Sequence, residues 1–84
     1  MNAREQLVME VLTLGDVVRF TKADSPTETE SLRRQINDIR RRAELLPHAE
    51  EATLRKIELV VPEAVAPEMI RLRSVLLEKG FRIC

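Results

Sequence analysis

The run Ser25-Pro26-Thr27-Glu28-Thr29-Glu30-Ser31-Leu32-Arg33-Arg34-Gln35-Ile36-Asn37-Asp38-Ile39-Arg40-Arg41-Arg42-Ala43-Glu44-Leu45-Leu46 decides how this chain folds. Ser25 offers a side-chain oxygen as an N-cap. Pro26 fits the first helical position, where its missing N–H is harmless, and Glu28 can return a hydrogen bond to the cap backbone. A helix therefore starts here. Leu32, Ile36, Ile39, Ala43 and Leu46 then recur at spacings of four, three, four and three, the pattern of a seam between two packed helices. The run is too short for a long coiled coil, but it predicts a helical hairpin or a bundle partner. Pro47, which has no amide to continue the ladder, ends the helix.

Upstream, residues from Arg4 to about Phe20 place Leu7, Val8, Val11, Leu12, Leu14 and Val18 along one side of a helix. Glu5, Glu10, Asp16 and Arg19 mostly take the other side. Gly15 lies within the apolar side, where it costs about 1 kcal/mol relative to Ala. It signals either the close approach of another element or a weaker helix. A rival reading makes Val17 to Thr21 a short strand.

Downstream, His48 to Val61 reads as a third helix with Leu54, Ile57 and Val61 facing inward. Alternatively, Lys56 to Val61 is a strand, because Ile57-Glu58-Leu59-Val60-Val61 is rich in β-branched residues. Pro62 and Pro67 bracket a bend, and Pro67-Glu68 opens a last helix with Met69, Leu72, Val75 and Leu76 on its apolar side. Gly80 is placed to be a left-handed cap, with Phe81 folding back on Leu76. Residues 81–84 are either a pinned tail or a strand pairing with 57–61 across a right-handed crossover. The expected class is mainly α, a small helical bundle or hairpin-containing domain. An α+β alternative has short strands at 57–61 and 81–84.

With 84 residues, the expectation is one small domain spanning 1–84, near the size where burial only just offsets lost conformational entropy. Phe20 and Phe81 are the only aromatic residues, so the core must come from Leu, Ile, Val, Met and Ala. So short a chain favours covering leftover apolar surface with a partner or a second copy. The lone Cys84 rules out a disulfide within the chain and fits a reducing, cytoplasmic location. No apolar run approaches the roughly 20 residues needed to span a bilayer, so no membrane association is expected.

The net charge of zero conceals a concentrated patch. Residues 1–32 carry three bases and six acids, residues 33–42 five arginines and one acid, and residues 43–84 six bases and seven acids. On a helix, Arg34 and Arg41 share one side, and Arg33 and Arg40 an adjacent one, beside the seam. Planar guanidinium forks in such a stripe suit phosphates or an acidic protein partner. The opposing reading is a solvated face, with arginines near a helix C-terminus and Glu30, Asp38 and Glu44 as neighbours.

Catalysis is not expected. His48 is the only histidine, and Glu50 and Glu51 beside it suit a first helical turn as well as an acid–base pair. Two distant glycines make no phosphate cradle, and one His with one remote Cys makes no metal site. No cofactor is expected. Two functions follow. The leading one is a small interaction protein (adaptor, inhibitor or accessory subunit) with Leu32, Ile36, Ile39, Ala43 and Leu46 as its protein interface. The other is a nucleic-acid-binding regulator that contacts phosphates through Arg33, Arg34, Arg40 and Arg41.

Overall fold

A computed structural model describes residues 2–21 and 25–84. Helix α1 spans Ala3–Phe20, and its N-terminus is capped by Asn2, whose Oδ1 accepts from the Glu5 amide at 2.9 Å. The helix runs through Phe20, so the alternative strand over Val17–Thr21 does not form. Leu7, Val11, Leu14 and Val18 are all buried, and keeping Val18 on that face requires the helical period to the end. Helix α2 spans Pro26–Glu44 with Ser25 as its cap, as the sequence predicts. It stops short of Pro47, because the residue before a proline is disfavoured in the helical region. Leu45 and Leu46 tighten into a last turn on the Arg42 and Ala43 carbonyls, at 3.2 and 3.1 Å.

The third helix over His48–Val61 is absent. Only a single turn of 3₁₀ helix forms at Glu51–Thr53, followed by extended chain with strand β1 at Lys56–Ile57. Buried Ile57 and Leu59 alternate with exposed Lys56, Glu58 and Val60, which is the period of an extended segment and not of a helix. A second 3₁₀ turn at Glu63–Val65 leads into α3, Ala66–Glu78, with Pro67 in its first turn. The end of α3 matches expectation. Gly80 sits at φ 87°, its amide donates to the Leu77 carbonyl at 3.2 Å, and the Phe81 amide donates to the Leu76 carbonyl at 3.0 Å. These two bonds define a Schellman cap.

Strand β2, Arg82–Ile83, then pairs in parallel with β1, in the register Lys56↔Arg82 and Ile57↔Ile83. Parallel neighbours need a crossover, and α3 supplies it. The result is a mainly helical domain with two small strands in an open sheet. Each strand is two residues long, shorter than 57–61 and 81–84, because neither extended segment has more than that length of paired neighbour. Helix α2 packs against both α1 and α3. Ile36, Ile57, Met69, Leu72 and Leu76 are among the largest fully buried side chains of one apolar cluster, which also holds Phe81. Gly15 is buried where β1 leads away, and a Cβ there would stand 3.8 Å from the Glu58 carbonyl oxygen.

Candidate functional site

The α2 seam is consumed by the fold itself. Leu32, Ile36, Ile39 and Ala43 are buried, and Leu46 packs half-buried on the same cluster. Their contacts are with the chain's own elements, so a surface for another molecule has to lie elsewhere on the hairpin.

The arginines of α2 divide into three directions. Arg33 points toward α3, with its Nε 3.2 Å from Glu68 Oε1 and its Nη2 donating to the Ala64 carbonyl at 3.2 Å. Arg40 lies along its own helix, donating to Glu44 at 2.6 Å, and is only 20% exposed. Arg42 turns toward α1, donating to Glu10 at 2.6 Å, with Asp38 3.1 Å from its other terminal nitrogen. The Glu10 hydrogen bond, aided by both carboxylate charges, holds the Arg42 guanidinium above its ordinary pKa against the opposing effect of burial. Arg34 is 80% exposed and lies 3.6 Å from Glu30. Arg41 is exposed and makes no ion pair with the described residues. The proposed stripe of Arg33, Arg34, Arg40 and Arg41 is therefore dispersed, and three of its four members already face carboxylates.

Outward of the seam, the hairpin carries a second pair of stripes. On α1 these are Ala3, Gln6, Glu10, Thr13, Val17 and Phe20, at alternating steps of three and four. On α2, Glu28, Ser31, Gln35, Asp38, Arg42 and Leu45 repeat the same steps. Three concavities follow one another along the groove between them. Ala3 and Leu45 share the first, Glu10, Asp38 and Arg42 the second, and Phe20 and Glu28 the third. That sharing shows α1 and α2 to be antiparallel. The middle of the groove is polar and cross-linked by Arg42. Its two ends carry the most exposed large apolar side chains of the described residues, Phe20 at 86% and Leu45 at 85%.

His48, the one histidine, lies at the end of α3. His48 Nδ1 lies 2.6 Å from the Glu78 carbonyl oxygen, and since a carbonyl only accepts, Nδ1 carries the proton. Arg4 donates to the Pro47 and Lys79 carbonyls, both at 2.9 Å, and its Cζ stands 4.3 Å from the Phe81 ring centroid. Burial pushes the Arg4 guanidinium below its ordinary pKa. Together His48 and Arg4 satisfy the carbonyls that end α3, where positive charge is favoured. Among the described residues, no three His, Cys, Asp or Glu side chains gather to hold a metal ion. Among the described residues, no helix is long and apolar enough to cross a membrane.

Comparison with known proteins finds no family model, no curated protein and no solved structure that matches this chain. Phe20 and Leu45 lie outside the seam that the sequence offers as the interface. Their signal is the second three-four repeat, which is faint because charged and amide residues occupy its centre.

Proposed function

We propose that this chain is a non-catalytic protein-interaction module, of the adaptor, inhibitor or accessory-subunit kind, and that it docks protein through the α1–α2 groove. The exposure of Phe20 and Leu45 at the two ends of that groove carries the reading. Removing large exposed apolar side chains from water is a favourable term in protein association. Among the described residues nothing covers either side chain, and a protein contact would take their apolar surface out of water.

Site-specific photo-crosslinking in cells tests the proposal. A photoreactive side chain at position 20 or 45 is expected to give discrete protein adducts, whereas one at Ile70, exposed on α3, gives none. Adducts to nucleic acid in place of protein would replace this reading with a regulator working through the arginines of α2. An absence of adducts at both groove positions would remove it.

A further inference from the structure

We propose that the outer face of the β1–β2 sheet is a second docking surface, which receives an acidic segment of a partner protein and seats a carboxylate between Lys56 and Arg82. It stands apart from the α1–α2 groove and does not depend on that reading. Ile57 and Ile83 pack toward the helices, so the alternating residues Lys56, Glu58, Arg82 and Cys84 share the side turned to solvent. The parallel register sets Lys56 directly beside Arg82, and neighbouring strands lie only about 5 Å apart. Like charges at paired positions destabilise a sheet. Neither base forms an ion pair with the described residues, so the repulsion between them is left without a counter-charge. Edge protection accounts for half of the pair only. A charged side chain keeps an open edge from pairing with other chains, and Arg82 on β2 does that. Lys56 lies on β1, which has β2 on one side and α1 against it near Gly15, so a base there guards no edge.

The surroundings of the pair select the kind of anion. Lys56 shares a concavity of about 650 Å³ with Leu12, Glu58, Val60 and Cys84, and Leu12 and Val60 are exposed apolar side chains. A protein segment of mixed character fits this floor, with an apolar side chain on Leu12 and Val60 and a carboxylate on the two bases. Glu58 follows Lys56 on the same face, but its carboxylate is turned to Arg19 at 3.2 Å. It leaves room for an isolated carboxylate at the Lys56–Arg82 end and repels a continuous run of phosphates. The two aromatic residues are elsewhere, Phe81 buried and Phe20 at the α1–α2 groove, so the face has no ring on which to stack a base.

Binding and stability should move in opposite directions, and the test reads both on the full chain under reducing conditions. Fluorescence anisotropy at low salt uses a labelled Glu-Leu-Ser repeat peptide as the acidic probe. The peptide is expected to bind, and Arg82→Glu or Lys56→Glu should each weaken it by about tenfold or more while leaving the far-UV circular dichroism unchanged. A Gln-Leu-Ser peptide should bind more weakly by a similar factor, and Arg73→Glu, on the exposed side of α3, should leave the affinity as it was. In urea titrations Arg82→Glu, which turns a like pair into an opposite one, should raise the midpoint. Arg82→Gln, which removes the repulsion without adding a charge, should raise it less. No binding of the acidic peptide at low salt, equal binding of the glutamine peptide, or an affinity indifferent to both glutamates would overturn the proposal. A mixed-sequence oligonucleotide or an anionic vesicle that binds more tightly than the peptide through Lys56 and Arg82 would overturn the protein occupant. An Arg82→Gln chain whose urea midpoint is unchanged or lower would show the pair to carry no unrelieved repulsion, and the proposal would fall with it.

Discussion

Gly15 and Gly80 are both buried, yet the same substitution at each is expected to have opposite signs. At Gly15 the backbone is helical and a Cβ would meet the Glu58 carbonyl oxygen at 3.8 Å, an ordinary contact. Gly15→Ala should therefore stabilise the fold by about 0.5–1 kcal/mol, the helix-propensity difference. At Gly80 the φ of 87° penalises any side chain, and a Cβ would stand 3.1 Å from both the Ala49 Cβ and a Leu54 methyl. Gly80→Ala should cost about 1–2 kcal/mol or more. Urea titrations of the two variants check both signs. Only the second was legible beforehand, from Lys79-Gly80-Phe81 ending an apolar helical pattern. Gly15 admitted two readings because its neighbour, Glu58, is distant in sequence.

For the elements, the seam and the outer face of α2 separate cleanly. Ile39 is buried among apolar side chains, so Ile39→Asp places an uncompensated charge there. It should cost about 4 kcal/mol or more, enough to abolish cooperative melting in a domain of this size. Arg41 is exposed, and Arg41→Ala should stay within about 0.5 kcal/mol of the parent. Circular dichroism melts compare the two directly. An Ile39→Asp protein melting like its parent would contradict the burial of the seam. The start of α2 and the end of α3 were readable because caps are local, set by Ser25, Pro26 and Glu28 or by Gly80. The extent of β1 was not, since a strand's length depends on what pairs with it, and Arg82–Ile83 lie more than twenty residues away. The groove was hidden for a related reason. A three-four repeat of mixed polarity acquires meaning only once the folded chain shows which of its residues stay uncovered.

Over the whole molecule, the three charge blocks of the sequence are stitched together by the fold. Arg42 reaches Glu10, Arg33 reaches Glu68, Arg55 reaches Glu5 and Arg19 reaches Glu58. Exposed or half-exposed pairs of this kind each contribute about 0–1 kcal/mol. They refine how α1, α2 and the β1 segment sit, while the apolar cluster supplies the cohesion. The α1–α2 hairpin and the β1–α3–β2 unit meet where α2 packs on α3 and where β1 touches α1.

The β1–β2 pairing has a consequence for the rates at which parts of the molecule open. The Arg82 amide donates to Arg55 at 2.7 Å and the Cys84 amide to Ile57 at 3.0 Å, across strands only two residues long. Releasing them leaves the Schellman cap intact, because the Gly80 and Phe81 amides bond to Leu77 and Leu76 within α3. Native-state hydrogen exchange should therefore grade the C-terminus in steps. Arg82 and Cys84 amides exchange first through a local opening, Gly80 and Phe81 later, and the amides of Ile36 and Leu72 only with global unfolding. An Arg82 amide as slow as that of Leu72 would show the strand and helix to open as one unit. Stepwise exchange would make the last strand a latch that lifts while the helices stay shut, briefly freeing the Arg55-Lys56 bond to a protease well before the fold is lost.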